Sequence, residues 1–377
     1  MTFAQVIGQQ AVKERLKQLA ASDRVPHALL FTGLEGCGKL PLALAFAQRL
    51  LCKQPTAEGD ACGTCPACRM VQHQAHPDLH FVFPVVKGTA SSSMTVVSDQ
   101  YLPQWREQLA ETPYFTHQTW VQRMGAGNQQ SQISVAEAEG LMASLAIMSN
   151  QGGYRVVLVW LPELMHTATA NKLLKLLEEP PQRTVFLMVT EDAGRLLETI
   201  VSRTQRVHCT PLTEYDIAQA LVQQAHIDEE QARVVAHAAG GNFMRAMAGI
   251  TVDVATAQAL DLFILLMRMC YQRRVKDMHE WAEQMAQQGR EAQKAFLDYC
   301  QHLVRENFMY NFRLPQLTYM NAAETQFATR FARFINERNV IDITQLLADA
   351  RRDIEQNVNA RMVFFDLALQ LTALLLK

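Results

Sequence analysis

Leu29-Leu30-Phe31-Thr32-Gly33-Leu34-Glu35-Gly36-Cys37-Gly38-Lys39-Leu40 is the stretch that decides the fold. Apolar residues run into a glycine loop, and the apolar-periodic run Leu40–Leu51 follows. A buried strand, a glycine loop and a helix in that order make a P-loop. Gly33, Gly36 and Gly38 let the backbone turn tightly and aim N–H groups inward. The helix N-terminus adds its positive dipole, and Lys39 reaches terminal phosphates. The match to G-x-x-x-x-G-K is full, and the next position breaks it. A Ser or Thr hydroxyl should hold Mg²⁺ there, and this chain has Leu40. The stretch reads as a nucleotide-binding fold poorly equipped for hydrolysis, with Gly33, Gly36, Gly38 and Lys39 as candidate nucleotide-binding residues.

The helix after Lys39 leads into Cys52 and then Cys62-Gly63-Thr64-Cys65-Pro66-Ala67-Cys68. Three cysteines at steps of three with a fourth upstream suit a tetrahedral thiolate cage. The intervening Gly and Pro permit tight N–H-to-sulfur turns. Zn²⁺ fits four soft ligands without a redox role, and four protein ligands leave no open position, so the expected site is structural. His73, His76, Asp78 and His80 follow. They read as a turn at His76-Pro77-Asp78 into a strand, Leu79–Val86, rather than as a second metal site.

Upstream of the P-loop, Val12, Leu16 and Leu19 have helical spacing within 9–22. Downstream, 88–132 changes texture: Ser91-Ser92-Ser93, many Gln, one short helical candidate around 99–111, and a closing Gly125-Ala126-Gly127-Asn128. It reads as a partly mobile surface insertion. Ser134 and Glu137 form a capping-box pattern for a helix to about Ser149, ended by Gly152-Gly153. Tyr154–Leu161 and Thr184–Val189 are nearly continuous apolar runs, as in a parallel sheet covered on both faces. Ala168–Leu177 reads as the helix between them, stopped by Glu178-Glu179-Pro180-Pro181; the glutamate pair also has a plain reading, a solvated helix end. Val207-His208-Cys209 reads as a last strand. After Pro211 only helical patterns remain. Three short ones lie before Ile250, the first capped by Thr213 and Asp216. Six amphipathic ones follow to Lys377, the last of them apolar on most of its surface. The expected fold class is α/β followed by all-α. The expected domains are a P-loop sheet domain at 1–210, with the cysteine module at 52–68 and the insertion at 88–132, a small helical lid at 211–250, and a helical domain at 251–377.

The chain has 377 residues, 49% of them hydrophobic, with 35 Lys+Arg against 37 Asp+Glu. A formal charge of -2 argues against a protein that grips DNA alone by phosphate neutralisation. No apolar run reaches bilayer-spanning length. The start, Met1-Thr2-Phe3-Ala4-Gln5, lacks a basic-then-apolar signal pattern. The expected location is the cytoplasm, where clustered cysteines mean metal more often than disulfides.

These residues together resemble a known family, the delta-prime subunits of the bacterial DNA polymerase III clamp loader, within the AAA+ superfamily. The resemblance rests on Val25-Pro26-His27-Ala28-Leu29-Leu30, the degenerate P-loop, the four cysteines and His76-Pro77-Asp78. It rests also on Asn171-Lys172-Leu173-Leu174-Lys175-Leu176-Leu177-Glu178-Glu179-Pro180-Pro181 and on Ser202-Arg203. It implies a subunit with an AAA+ domain, a lid and a collar. It also implies assembly with gamma/tau ATPases and delta into a ring that places the sliding clamp on primed DNA, with no membrane role. In active relatives an Asp-Glu pair follows the central strand and serves Mg²⁺ and water; here the positions read Trp160-Leu161. Glu163, two residues on, is a weak substitute for both roles. The resemblance places Thr190 as a polar sensor at a strand end and Arg245 as the lid's sensor arginine. It makes Arg203 an arginine finger offered in trans, in a Ser-Arg-Thr version of the family's Ser-Arg-Cys motif. The expected chain is non-catalytic on its own. Two competitors stand beside it: an active AAA+ motor subunit, supported by Lys39, and a zinc-containing nucleic-acid binder, opposed by the absent basic excess.

Overall fold

The computed structural model describes residues 1–22, 24–86, 96–125, 130–146, 153–250, 254–314 and 317–375. The Ser91–Ser93 run, most of the 125–128 closure, the helix end near Ser149 and Gly152 lie outside the described residues. Two compact units divide the chain, one of 1–229 with 241–244 and one of 230–240 with 245–377.

The first unit is built on a five-stranded parallel sheet in the order β2-β3-β4-β1-β5. The strands are β1 (Ala28–Thr32), β2 (Leu79–Val82), β3 (Arg155–Trp160), β4 (Thr184–Val189) and β5 (Gln205–His208). Alternation sorts the side chains to two faces. Leu29, Phe31, Val156, Leu158 and Leu187 pack with the helix α2 (Lys39–Leu51), which follows α1 (Gln10–Ala21). Leu30, Val157, Val159 and Phe186 face the opposite layer. That layer holds Leu141 and Leu145 of α6 (Val135–Ala146) and Leu173 and Leu177 of α7 (Thr167–Glu178). Both faces are therefore covered, as the continuous apolar runs require. α3 (Pro66–Gln72), α8 (Glu198–Val201) and α9 (Glu214–Ala225) complete this unit's helices with the pair described next.

Four expectations change. The strand expected at Leu79–Val86 closes after Val82, although Val85 still bridges Gln132. The last strand starts earlier than expected, at Gln205, and stops at His208. Ser134 and Glu137 do not close on each other through their side chains: the Ser134 hydroxyl donates to Val96 O at 3.3 Å. The Glu137 carboxylate instead accepts from the Ser98 hydroxyl at 2.6 Å. The described part of 88–132 is no surface appendage. It forms α4 (Leu102–Glu111) and a second helix, α5 (His117–Arg123), and Trp105 and Trp120 are fully buried. Trp105 stacks on Phe83 with centroids 4.3 Å apart and lies 5.4 Å from Trp160.

The second unit is helical. Among the described residues no strand follows β5. It contains most of α10 (Glu229–Ala239) and of α11 (Phe243–Ile250). It continues with α12 (Val254–Gln272), α13 (Val275–Ala286), α14 (Arg290–Tyr310), α15 (Ala322–Phe331), α16 (Val340–Glu355) and α17 (Ala360–Leu374). Phe263, Met278, Trp281, Leu303, Leu347 and Phe364 mark its core. α17 buries Val363, Phe364, Leu367 and Leu371 but leaves Met362 exposed. No helix among the described residues is long and apolar enough to cross a membrane. The fold class is α/β followed by all-α, as the sequence implies.

Candidate nucleotide pocket, cysteine centre and arginine turn

The pocket lies at the C-terminal ends of β1, β4 and β3, where open parallel sheets bind ligands. Gly33 and Gly36 have φ of 145° and 74°, and neither can carry a side chain. A Cβ on Gly33 would come within 2.3 Å of Cys209 O, and one on Gly36 within 1.8 Å of Asn242 Oδ1. Gly38 caps the N-terminus of α2 with φ 93°, and Lys39 is the first helical residue. The Phe243 N–H donates to Gly36 O at 3.2 Å, tying the loop to the Gly241–Met244 segment. Tyr114, from the α4–α5 connection, closes over the loop: its hydroxyl accepts from the Ile7 N–H at 3.1 Å, and its ring meets Phe243 at 4.9 Å.

Lys39 is 3% exposed, and its ammonium does not face an open pocket. It donates to Gly33 O, Leu34 O and the Glu191 carboxylate, each at 2.7 Å. Leu40 is buried in the apolar core beside the sheet. Trp160 ends β3, packed on Trp105 and Phe115, and Leu161 follows in a left-handed conformation at φ 55°. Thr190 is fully buried at the end of β4; its hydroxyl donates to Glu163 at 2.8 Å. Glu163 also accepts from the Glu191 N–H at 2.8 Å and the Asp192 N–H at 3.4 Å. Burial pushes the Glu163 carboxyl above the usual carboxylate range, with the like charge of Glu191 adding and its N–H and hydroxyl donors opposing. The carboxylate is committed to fixing the 190–192 turn, so it is not placed to orient water.

The cysteines converge. The sulfurs of Cys52, Cys62, Cys65 and Cys68 all lie within 4.8 Å of one another. Cys52 and Cys62 are 3.6 Å apart and Cys62 and Cys68 3.9 Å. A tetrahedron with metal–sulfur bonds of about 2.3 Å has edges of about 3.8 Å, so this cage fits a tetrahedral ion such as zinc. The expected turns are present: the N–H groups of Cys62, Cys65 and Cys68 donate to the sulfurs of Cys52, Cys62 and Cys65 at 3.4, 3.3 and 3.4 Å. N–H donors from Cys65 and Thr64 pull the Cys62 thiol down to about 6, while burial pushes the Cys52 and Cys68 thiols up. Among the described residues this is the one group of metal-ligating side chains that converges. His76 serves its turn, accepting the Asp78 N–H at 3.1 Å.

Arg203 sits between α8 and β5, about one-third exposed. Its guanidinium pairs with Glu178 at 2.7 Å and donates to Thr199 O at 3.0 Å. Glu178 itself is half exposed at the end of α7. Arg245 lies in the second unit, where it donates to Tyr319 O at 3.0 Å and meets the His302 ring. Burial, with Arg245 and Arg305 adding, pushes His302 down to about 3.

Residues 8–213, more than half of the chain, match the family model described as DNA polymerase III, delta subunit. The chain belongs to that family. DNA polymerase III subunit delta' of Bacillus subtilis is 27% identical over 61% of this chain and 55% of its own length. The same subunit of Pseudomonas aeruginosa is 32% identical over 51% of this chain and 45% of its own. Both support the delta-prime branch, and the matches span about half the length of these relatives. A gamma subunit-related protein from Thermotoga maritima aligns over 96% of this chain and 99% of its own at 14% identity, with a TM-score of 0.37.

Within unit 1 Lys39 meets the loop at Gly33 O, and Thr190 stands at the neighbouring strand end with its N–H on Phe31 O. Reading by motif missed Glu191 and Tyr114. Glu191 had a signal: an acid directly after a strand-end Thr, in a chain whose P-loop lysine lacks the usual acidic neighbours on β3. Tyr114 had none, because its segment carries no motif.

Proposed function

We propose that this chain is a non-hydrolysing subunit of the DNA polymerase III clamp loader, assembling with gamma/tau ATPases and delta to place the sliding clamp on primed DNA. The observation that carries it is the state of two positions: Trp160 at the end of β3 and Leu40 in the first turn of α2 are packed into the apolar core where a metal-holding carboxylate and hydroxyl would have to stand. Catalysis of phosphoryl transfer rests on a metal and a positioned water. Leu40 and Trp160 offer no oxygen ligand for that metal, and Glu163 is held by Thr190 and the 191–192 N–H groups.

In this reading the chain's chemical contribution is Arg203, offered to the ATP site of a neighbouring subunit. A guanidinium there stabilises charge spreading on the γ-phosphate in the transition state. The domain division belongs to the same proposal: an AAA+ domain over 1–210, a lid over 211–250 and a collar over 251–377. So do a structural zinc on Cys52, Cys62, Cys65 and Cys68, and a cytoplasmic location. Zinc would be held by four thiolates with no open position and would supply rigidity alone. The roles of Thr190 and Arg245 toward a bound nucleotide are proposed as relics, since both side chains are engaged within the chain.

The test is Arg203→Ala in a loader reconstituted with its ATPase partners. Assembly is expected to survive and DNA-stimulated hydrolysis to fall, by up to about a thousandfold at the site this chain serves. Unchanged hydrolysis would remove Arg203 from the mechanism. Mg²⁺-dependent turnover by the isolated chain above a Lys39→Ala control would favour a motor subunit instead.

A further inference from the structure

We infer that Glu191 is a built-in anion that occupies the P-loop lysine and keeps nucleotide phosphates out. The inference deepens the proposed function and rests on its reading of the pocket as one that does no chemistry; it adds what decides whether nucleotide enters.

An ammonium has three donors. Those of Lys39 go to Gly33 O, Leu34 O and Glu191, all at 2.7 Å. The first two belong to the glycine loop itself, so the lysine holds the loop's first turn closed. The third is a carboxylate, which offers the same charge and the same kind of acceptor oxygen as a phosphate. A phosphate arriving at this helix N-terminus would have to displace it. It would also meet a like charge, because Glu191 remains nearby on a short tether.

Glu191 is fixed from behind. Its own N–H and that of Asp192 both donate to Glu163, and the Thr190 hydroxyl donates to the same carboxylate. Thr190 is in turn locked to the sheet, with its N–H on Phe31 O at 3.2 Å. Glu163 thus acts as a positioning residue: it sets the turn that aims Glu191 at Lys39. The three links run from the end of β3, through the turn after β4, to the loop after β1. They use the strand ends where a working site would hold metal and water. From the other side Tyr114 packs against the loop, its hydroxyl 3.5 Å from where a Cβ on Gly38 would lie.

The test measures binding without turnover. Full-length wild-type chain, Glu191→Ala and Glu191→Ala/Lys39→Ala are each titrated with labelled ATP by equilibrium dialysis, with and without Mg²⁺. Glu191→Ala is expected to bind ATP roughly ten- to a hundredfold more tightly than wild type, the factor carried by one charge-assisted hydrogen bond. Adding Lys39→Ala is expected to return affinity to the wild-type level. The inference is overturned if Glu191→Ala binds no better than wild type, or if its gain survives the loss of Lys39. Should Glu191→Ala fail to fold cooperatively, Glu191→Gln carries the test: it keeps an acceptor for Lys39 but drops the charge, and a several-fold gain is expected. Equal ATP affinity of wild type and Glu191→Ala would overturn the latch and leave the non-hydrolysing reading untouched. Mg²⁺-dependent turnover by the wild-type chain would refute the non-hydrolysing reading, so the two ideas fail separately.

Discussion

Replacing Trp105 with Ala tests whether the segment between β2 and β3 belongs to the core. Trp105 is fully buried. Its ring stacks on Phe83 at 4.3 Å and meets Trp120 and Phe115 edge-on at 5.2 and 5.6 Å. Truncating a buried aromatic to Ala costs about 3–5 kcal/mol through lost transfer energy and a residual cavity. The aromatic contacts place this site at the upper end. One effect acts the other way: the indole Nε1 is buried with no hydrogen-bond partner among the described residues, and its loss relieves about 1 kcal/mol or more. The net expectation is about 3–4 kcal/mol. Trp105→Phe keeps the stack and removes the orphan N–H, so about 1 kcal/mol or less is expected. The assay is urea unfolding followed by tryptophan fluorescence in a Trp281→Phe background. Of the chain's four tryptophans, that leaves reporters in the first unit alone. A cost below about 1 kcal/mol for Trp105→Ala, or an equal cost for Ala and Phe, would refute the packing argument.

Metal analysis of the purified chain is expected to find about one zinc per molecule, and Cys68→Ser, at a fully buried ligand position, to lower that occupancy together with the melting temperature; a chain that never carries zinc would end the cage proposal. The helical unit should weaken in mild acid. His302 is held down to about 3, below its ordinary value near 6.5, so the unfolded chain binds more protons between those limits and stability rises with pH across that window. Going from pH 7 to 5 should therefore cost about 2 kcal/mol, read from urea melts on the fluorescence of Trp281, and His302→Gln should flatten the profile. An identical slope in that variant would assign the titration elsewhere.

The legible parts of the chain were those written in short-range pattern. The sheet followed from apolar runs at 155–160 and 184–189, which ended within a residue of the expected places. The Thr213 cap accepts the Asp216 N–H at 3.1 Å, as its spacing implies. The cysteine cage followed from spacing because N–H-to-sulfur turns need only local backbone. What pattern did not carry was long-range. Glu137 satisfies the capping-box rule, yet Ser98, 39 residues away, takes its carboxylate. Trp105 and Trp120 sit in a Gln-rich, weakly periodic stretch, and their burial depends on Phe83 and Trp160 being nearby in the fold. The Lys39–Glu191 pair spans 152 residues, so the acid after the strand-end Thr is visible in the sequence but its partner is not.

On the proposed reading, the lack of a metal-holding carboxylate and the presence of an aromatic core coincide at position 160. Trp160 is 2% exposed and lies within 5.4 Å of Trp105 and 5.0 Å of Phe115. An aspartate placed there would leave a carboxylate among indole and phenyl rings, in the apolar cluster that also holds Leu40. A buried carboxylate so placed takes up a proton instead of holding a cation. The aromatic ring it replaced would leave a cavity under α4 and α5. A magnesium-holding carboxylate at position 160 would therefore require repacking the whole segment between β2 and β3, not one substitution. On the proposed reading this explains why the pocket keeps its glycines and Lys39 while lacking the means of hydrolysis. Those residues shape the first turn of α2 and hold the loop against Asn242 and Phe243, and they do so whether or not a nucleotide ever arrives.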